Sequence, residues 1–401
     1  MSFILRAQPS ASAFLEEPVL SPQSTETVRA TLPAVGGAIG EITPLFYARL
    51  FAAHPELERD LFNRGNQAVG DQPRALAGSI AAYATMLVEH PEVRPGAMLA
   101  RIAHKHASLG VTAAQYEVVH THLFAAIVEV LGAAVTPEVA AAWDEVYWLM
   151  ANELMALEAK LYLEAGLEPG DVRQSMTVTG RTRETADAVS FTLRRTDGEP
   201  VAAFRPGQYV SVAVQLPDGA RQIRQYSLSA APGRDEWRIT VKRDGEVSGH
   251  LHTTVREGDP IEVSHPFGDL VLDEGDAPLL LASAGIGCTP MIGILDHLVR
   301  TGSDRRVVAV HGDRSAADHA HAAELTTLTA ELPGSTLHRW YQDQDGLVDL
   351  GTVDLPHDVR AYLCGPLPFM RTARAQLLDR GIPAEAIHYE VFGPDLWLAS
   401  R

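Results

Sequence analysis

The segment Leu279-Leu280-Leu281-Ala282-Ser283-Ala284-Gly285-Ile286-Gly287-Cys288-Thr289-Pro290 has the pattern of a buried strand that runs into a glycine loop and the start of a helix. Its apolar first half is typical of a strand covered on both faces of a parallel sheet. Glycines in such a loop let backbone N–H groups approach a pyrophosphate closely, and the helix N-terminus favours negative charge. The signal is weak alone, because an ordinary strand-to-helix turn looks the same and the full dinucleotide fingerprint spacing is absent.

The C-terminal part of the chain, 275–401, continues this alternation of strands and helices. Continuous apolar runs at 307–310 and 361–363 are separated by helical patterns such as 291–299, which predicts a parallel sheet covered by helices. A second turn, Cys364-Gly365-Pro366, follows the last of these runs. Since ligands bind at the carboxyl ends of strands in open α/β sheets, the two loops are predicted to face one site.

Residues 167–274 have a period of two instead. Alternating runs at 210–216 and 237–242 are bounded by turns, which predicts an antiparallel barrel. The motif Arg224-Gln225-Tyr226-Ser227 is predicted at the start of a barrel strand, where arginine can bind a phosphate and tyrosine can lie against a flat ring. Downstream, the backbone N–H groups of Gly245-Glu246-Val247-Ser248 are suited to a pyrophosphate.

The N-terminal part is almost purely helical. Apolar residues recur at helical spacing throughout 23–166, which predicts an all-α domain after a tail at 1–22. Prolines in this part, including Pro33 and Pro44, are expected at helix starts or in loops. The stretch 166–174 is the predicted linker to the barrel.

Two polar residues of the helical part fall on apolar helical stripes. His106 shares a helical stretch with Leu99, Ile102 and Leu109, so its imidazole is directed into a core. On its own this favours an ordinary core histidine over a metal ligand. Glu158 falls on the apolar stripe of the last helix; it is either at the edge of the surface or buried and then paired or protonated, because an unpartnered buried carboxylate is costly.

Bulk properties exclude several classes of partner. The 401 residues carry a formal charge of −18, which argues against nucleic acid and anionic membranes. No apolar run approaches the roughly 18 residues of a membrane span, and the first residues make a poor signal peptide. We therefore expect a cytoplasmic protein and a monomer. The two cysteines, Cys288 and Cys364, cannot form a metal cage, and a disulfide between them is not expected.

Taken in order, the motifs of the C-terminal half resemble the ferredoxin–NADP reductase superfamily. The helical half resembles a globin, and the chain from about 24 to 394 resembles a flavohaemoglobin. The strings that carry the globin resemblance are Phe46-Tyr47, Leu61-Phe62-Asn63, Gly70-Asp71-Gln72, Lys105-His106 and Gln115-Tyr116. This resemblance implies three domains with haem b, FAD and NADH or NADPH, and a nitric oxide dioxygenase acting on NO and O₂.

The resemblance also implies roles for individual residues. His106 would be the proximal haem ligand and bond to Tyr116 and Glu158, with Lys105 near the haem–flavin boundary. The implied distal residues are Tyr47, Gln72, Phe62 and Leu76. The implied flavin residues are Tyr209, Arg224, Gln225, Tyr226, Ser227, Gly245, Val247 and Ser248. The implied nicotinamide residues are Gly285, Ile286, Gly287, Cys288, Thr289, Pro290, Cys364, Gly365 and Pro366. The implied C-terminal flavin-side residues are Glu390, Val391, Phe392, Gly393 and Pro394.

Two other functions stay open at this point. A reductase that passes electrons to a separate acceptor would not need His106, Tyr116 and Glu158 together, and an oxygen-binding or sensing globin would not need the reductase half. The choice between NADH and NADPH is also open, because Asp313 suits a ribose diol whereas Arg314 suits a 2′-phosphate. Cys288 stands where many flavohaemoglobins have glutamine, which affects nicotinamide preference or reactivity rather than the mechanism.

Overall fold

The computed structural model describes residues 19–92 and 96–393, and its N-terminal part is a bundle of helices. The core helix α1 packs against α4, α6 and α7, with Ile42, Phe46 and Leu50 almost fully buried. The helices are α1 (Pro22–Ala53), α2 (Pro55–Asp60), α3 (Arg64–Ala68), α4 (Asp71–Glu89), α5 (Gly96–Leu109), α6 (Ala113–Leu131) and α7 (Pro137–Ala165).

The prolines of α1 depart from the prediction. Pro33 and Pro44 lie inside this single helix rather than at helix starts or in loops. An internal proline removes a helix hydrogen bond and costs about 3 kcal/mol. The helix continues because tertiary packing provides most helical stability, and Val28, Val35 and Ile42 bury one side of α1 over its whole length.

The middle of the chain forms a six-stranded antiparallel sheet in the order β4-β3-β6-β1-β2-β5. An antiparallel bridge between Leu228 and Ile239 joins the two outer strands and closes the sheet into a barrel. Its elements are β1 (Arg173–Arg183), β2 (Ala188–Arg195), β3 (Tyr209–Gln215), β4 (Arg221–Ser227), β5 (Trp237–Lys242), α8 (Glu246–Thr253) and β6 (Pro260–Ser264). The motif 224–227 therefore lies at the end of β4, and its prediction at the start of a strand was wrong. The first half of β4 was missed because Arg221 and Gln222 are polar, although both residues pair with β3.

The C-terminal part is a five-stranded parallel sheet in the order β11-β10-β7-β8-β9. Helices cover it, and the central strands are buried as their continuous apolar runs predicted. Its elements are β7 (Leu279–Ala284), α9 (Cys288–Arg300), β8 (Val307–Asp313), α10 (Ala322–Glu331), β9 (Thr336–Tyr341), β10 (Arg360–Cys364), α11 (Leu367–Asp379) and β11 (Ile387–Glu390). The predicted fold class, a helical domain followed by an antiparallel barrel and a parallel α/β domain, is confirmed.

The expectation that no segment could span a membrane was too strong. Within the described residues, a single helical stretch, Ala113–Ala134, is long and apolar enough to cross a membrane by length and composition. The sequence estimate missed it because the scattered polar residues of α6 interrupt every continuous apolar run. In the structure α6 packs along α1 and buries Tyr116, Leu123 and Ala126 in the helical bundle.

Candidate functional site

His106, which is partly buried, belongs to a hydrogen-bonded triad built from three helices. Its Nδ1 lies 2.8 Å from Glu158 Oε1 and 3.0 Å from the Tyr116 hydroxyl, and Tyr116 donates to the same carboxylate oxygen at 2.5 Å. Glu158 is 3% exposed, so the structure favours the buried, paired alternative for this carboxylate. Burial raises the pKa of Tyr116, and the nearby Glu158 adds to the shift, which keeps the phenol protonated as a donor.

This triad determines which histidine nitrogen is available to a ligand. With Nδ1–H donating to Glu158, the lone pair of His106 is on Nε2, the arrangement usual for a metal-binding histidine. A carboxylate on Nδ1 also makes the imidazole a stronger electron donor to a metal bound at Nε2. The donor set therefore fits a haem iron held by one proximal histidine.

A second polar group, around Tyr47, lies among apolar side chains of the same domain. The side-chain amides of Gln72 and Gln67 lie beside the Tyr47 hydroxyl, and burial raises the pKa of this phenol. The Phe62 ring meets Tyr47 edge-on at 5.7 Å between centroids, and Leu76 belongs to the same apolar cluster. The structure thus brings the four predicted distal residues together.

Gln67 is a site residue that sequence reasoning missed. Its Nε2 is buried and has no hydrogen-bond partner among the described residues. A buried unpaired donor is costly unless a ligand or water satisfies it, so this atom fits a pocket that receives a polar ligand. Gln67 lies on the five-residue helix α3, which is too short to show a helical period in the sequence.

The flavin motif lines the end of β4 as a set of buried and partly buried polar groups. Ser227 Oγ is buried and has no partner among the described residues. Tyr226 packs partly buried against the barrel core, and burial raises its pKa. Gln225 donates to Ser211 Oγ at 3.0 Å. Arg224 donates to the Ile223 carbonyl at 2.7 Å, and burial lowers its pKa. An unpaired hydroxyl beside an aromatic ring and a partly buried guanidinium fits a flavin nucleotide.

Tyr209 and the loop before α8 complete this side of the barrel. Tyr209 packs with Ala107, Tyr162 and Phe267 where the barrel meets the helical domain. Gly245 has φ +88° at the N-terminus of α8, and Val247 and Ser248 are buried in its first turn. Ser248 Oγ accepts from the Asp244 N–H at 2.7 Å. The hydroxyl thus holds the loop shape, and the first-turn N–H groups of α8 are suited to an anion.

The two glycine loops of the parallel domain touch each other. A Cβ at Gly287 would lie 2.3 Å from the Cys364 carbonyl oxygen, and a Cβ at Gly365, whose φ is +156°, would lie 3.0 Å from backbone atoms of Ala284. Both loops follow adjacent strands, β7 and β10. The structure therefore brings together the two loops that the sequence predicted to face one site.

The remaining nicotinamide-loop residues shape that junction. Thr289 donates to the Ile286 carbonyl at 3.0 Å, Pro290 lies in the first turn of α9, and Pro366 precedes α11. Cys288 is a free, buried thiol that donates to the Ala320 carbonyl at 3.6 Å. Burial raises its pKa, so it is not a reactive thiolate.

The two residues considered for binding the ribose diol or its 2′-phosphate, Asp313 and Arg314, lie at the end of β8 and directly after it. Asp313 accepts from the Arg314 N–H at 2.8 Å and lies 3.5 Å from His311 Nε2. The Arg314 guanidinium lies 2.7 Å from Asp318 and 3.5 Å from Asp187 of the barrel. The cation is thus already engaged by two carboxylates.

Glu390 is a buried carboxyl at the meeting point of the helical domain and the C-terminal segment. Burial, with the charge of Asp269 adding, raises its pKa to about 8, although Arg101 and Lys105 oppose the shift. Its Oε2 has no hydrogen-bond partner among the described residues, and its Oε1 accepts from the Val391 N–H at 3.1 Å. This carboxyl therefore holds a proton more readily than an ordinary glutamate does.

Helix α5 carries His106 and also contacts the C-terminal segment that contains Glu390. Lys105 donates to the Gly393 carbonyl at 2.6 Å, and the Arg101 guanidinium lies 4.0 Å from the centre of the Tyr389 ring. Phe392 is 43% exposed. Pro394, the last predicted residue of the segment, lies outside the described residues. Arg101 was missed from the sequence, since its contacts are more than 150 positions away.

Family models match all three parts of the chain. A globin model matches residues 45–154, an oxidoreductase FAD-binding domain matches 175–271, and an oxidoreductase NAD-binding domain matches 281–375. Residues 175–271 contain the flavin motif and the loop before α8, and 281–375 contain both glycine loops. The binding of haem, FAD and a nicotinamide dinucleotide is therefore confirmed at the level of domains.

Similar proteins extend the match to the whole chain. A flavohemoprotein of Rhizobium meliloti is 41% identical, covering 94% of this chain and 100% of the relative; one of Halalkalibacterium halodurans is 37% identical over 95% and 98%. A flavohemoglobin structure from Malassezia yamatoensis with bound FAD and heme has a TM-score of 0.87 at 37% identity, covering 93% of this chain and all of the other. The FAD/NAD-binding domain of a nitric oxide dioxygenase from Vibrio cholerae has a TM-score of 0.53 at 38% identity, covering 55% and 99%.

Proposed function

The chain belongs to the flavohemoprotein family, and from this premise we propose that it is a nitric oxide dioxygenase, which uses NAD(P)H and O₂ to convert NO to nitrate. It is an oxidoreductase with haem, FAD and nicotinamide-binding domains. When bound, FAD takes hydride from the nicotinamide and releases electrons singly, and haem iron binds and activates O₂. The relative from Vibrio cholerae named above, a nitric oxide dioxygenase, supports the reaction assigned here.

The observation that carries this proposal is the His106–Glu158–Tyr116 triad. A globin that only stores O₂ needs a histidine ligand, but it does not need a buried carboxylate on that ligand. Glu158 accepts from Nδ1 at 2.8 Å, and Tyr116 holds the carboxylate in place at 2.5 Å. The resulting electron-rich imidazole favours activation of O₂ over reversible binding.

Tyr47 would supply the complementary group on the other side. Its phenol is buried and stays protonated because burial raises its pKa. Phe62 and Leu76 pack, partly buried, against the same apolar cluster as Tyr47. A protonated donor in an apolar pocket stabilises a reacting oxygen species that gains negative charge. Gln72 orients the hydroxyl or donates beside it.

Helix α5 supports a short connection between the two halves. It carries His106, and three of its other side chains contact the barrel or the C-terminal segment: Lys105 through Gly393, Arg101 through Tyr389 and His104 through the Gly268 N–H at 3.0 Å. The histidine ligand is thereby held at a fixed distance from the flavin side. Electron transfer within one chain requires this kind of rigid placement.

We also propose NADH as the preferred donor. A 2′-phosphate at the end of β8 would meet Asp313, Asp318 and Asp187, and Arg314 is already paired with the last two. A ribose diol, in contrast, can donate to Asp313. We expect a higher kcat/KM for NADH than for NADPH. The substitution Asp318→Asn removes one of the two carboxylates that engage Arg314, so it is expected to reduce this difference in kcat/KM.

The test uses the full-length protein loaded with haem and FAD. We expect a Soret band and flavin bands in one spectrum, and NO consumption in air that requires NADH and yields nitrate. The variant His106→Ala serves as the control that keeps the flavin but lacks the proposed iron ligand. Reduction of an artificial acceptor with only background NO consumption would instead identify a reductase for another partner. Reversible O₂ binding without NADH turnover would identify an oxygen-binding globin.

A further inference from the structure

One globin segment, residues 58–64, is fixed onto the barrel strand that carries the flavin motif. The side chain of Gln222, on β4, is fully buried. Its Nε2 donates to the carbonyls of Glu58, Arg59 and Phe62 at 3.0–3.3 Å, and its Oε1 accepts from the Arg64 N–H at 3.3 Å. The backbone of Arg64 is therefore held against the start of β4, two residues before Arg224.

The Arg64 side chain continues across the barrel surface and binds two carboxylates. Its guanidinium donates to Asp218 at 2.7 Å and to Glu246 at 2.9 Å. Arg64 holds the pKa of Asp218 below its usual value, and the hydrogen bonds to the two carboxylates raise the pKa of Arg64. Both partners are more than 150 positions away in the sequence, so the helical domain supplies this cation to the barrel surface.

Glu246 connects this cation to the flavin motif. It is the first residue of α8, directly after Gly245, and its second oxygen lies 3.5 Å from the Arg224 guanidinium. A carboxylate at this position opposes phosphate binding in two ways. It repels a phosphate at the helix N-terminus, and it competes with the phosphate for Arg224.

We propose that Arg64 is a positioning residue of the FAD site: by neutralising Glu246, it leaves Arg224 and the first turn of α8 to the FAD phosphates. FAD retention is then coupled to docking of the helical domain, although no helical-domain side chain needs to touch the phosphates. This inference depends on FAD binding by the barrel and not on the reaction at the haem.

The test measures FAD affinity of the haem-loaded, full-length protein after removal of its flavin. We expect Arg64→Met to raise the Kd for FAD about three- to fivefold, the upper part of the range for one partly exposed charge pair. The double variant Arg64→Met/Glu246→Gln is expected to return to within about twofold of the unsubstituted protein, because the opposing carboxylate is gone. The control Arg49→Met removes a cation that pairs with Glu129 inside the helical domain, and it is expected to leave the Kd unchanged.

Recovery of FAD affinity in the double variant distinguishes charge compensation from a loss of structure. A double variant that binds FAD as weakly as Arg64→Met, or an Arg64→Met variant with unchanged Kd, would overturn the proposal. The single variant Glu246→Gln provides a second measurement if Arg64→Met does not fold: equal or tighter FAD binding supports the proposal and weaker binding contradicts it. The Soret band and haem content report folding of the helical domain in each variant, independently of NO consumption.

Discussion

The haem pocket and the nicotinamide junction are built in opposite ways. The haem pocket depends on side chains, each held by a partner on another helix, as in the His106–Glu158 and Tyr116–Glu158 hydrogen bonds. The nicotinamide junction depends on missing side chains, since Gly287 and Gly365 let two loops approach to backbone contact. A substitution that shortens a side chain should therefore damage the first region, and one that adds a methyl group should damage the second.

The two constructions also differ in what they do for their ligands. Side chains of the haem pocket tune the chemistry of the ligand they hold, because their basicity and hydrogen bonding change its electron density. Backbone N–H groups at a glycine loop provide shape and partial positive charge, but they do not discriminate strongly between ligands with the same phosphates. Discrimination in the nicotinamide domain consequently depends on residues at the end of β8, such as Asp313.

The largest effect is expected from His106→Ala. We expect loss of stable haem binding, because Nε2 of His106 is the proposed iron ligand, with retention of FAD and of electron transfer to an artificial acceptor. The matched control is His104→Ala on the same helix; His104 bonds to Gly268 of the barrel, and its loss should leave the Soret band intact. A normal Soret band in His106→Ala would show that the pocket does not depend on this side chain.

Gly287→Ala is the corresponding test of the nicotinamide junction. The new methyl group would lie 2.3 Å from the Cys364 carbonyl oxygen, and backbone cannot move aside as a flexible side chain can. Overpacking of this kind displaces the loop backbone at a cost of about 1–3 kcal/mol. The same free energy lost from NADH binding raises the Kd roughly five- to 150-fold, and we expect this with an unchanged haem spectrum.

The control for this junction is Gly275→Ala in the same domain. A Cβ there would find its nearest atom at 3.9 Å, so NADH affinity should not change. If Gly287→Ala and Gly275→Ala bound NADH equally well, the close approach of the two loops would have no functional role.

Sequence periodicity was sufficient to predict the three domain folds. The apolar runs of β7, β8 and β10 and the apolar stripes of the helices can be read from the sequence. Burial on one or two faces of an element determines the spacing of its apolar residues. The same pattern directed His106 inward, but it left Glu158 open between the surface edge and the core. It failed at Pro33 and Pro44, where contacts from other helices outweigh a local helix breaker.

The contacts between domains could not be predicted in this way. Gln222 looks like an ordinary polar strand residue, yet it bonds to four backbone groups about 160 positions away. Arg64 and Arg101 likewise appear as surface cations in their own helices. The spacing of residues within one element carries no information about which domain surfaces contact each other. The roles of these residues can therefore be recognised only in the structure of the assembled domains.

Tyr47→Phe tests a smaller, single-bond contribution to the haem pocket. We expect haem and FAD binding to persist, and O₂ to dissociate faster from the reduced protein. A charge-assisted hydrogen bond contributes roughly 1.5–3 kcal/mol, equivalent to about one to two decades in affinity, mostly in the off-rate. Gln72 and Gln67 adjoin the hydroxyl and can compensate in part, which favours the lower end. Equal dissociation rates would make Tyr47 a packing residue.

The last expected effect is on stability and depends on pH; it concerns Glu390, where the helical domain meets the reductase half. Its pKa of about 8 lies above the ordinary 4.5. Between these values the folded protein retains a proton that the unfolded chain has released, so the contribution of Glu390 to stability falls as the pH rises through this window. The neutral variant Glu390→Gln lacks this dependence. We expect similar unfolding temperatures for the two proteins near pH 5 and a more stable variant near pH 9, with about 2–4 °C for each 1 kcal/mol.

Substitution of the neighbouring carboxylate sharpens this last prediction. Asp269 raises the pKa of Glu390, whereas Arg101 and Lys105 lower it. Asp269→Asn removes a negative charge, so the pKa of Glu390 in the folded protein should fall toward its ordinary value. The loss of stability relative to a Glu390→Gln protein should still begin near the unfolded pKa, but it should end at a lower pH and reach a smaller maximum. The comparison needs four pH profiles of the unfolding temperature, with and without Glu390→Gln in each background. Parallel profiles for the unsubstituted protein and Glu390→Gln would show that the buried carboxyl titrates as it does in the unfolded chain.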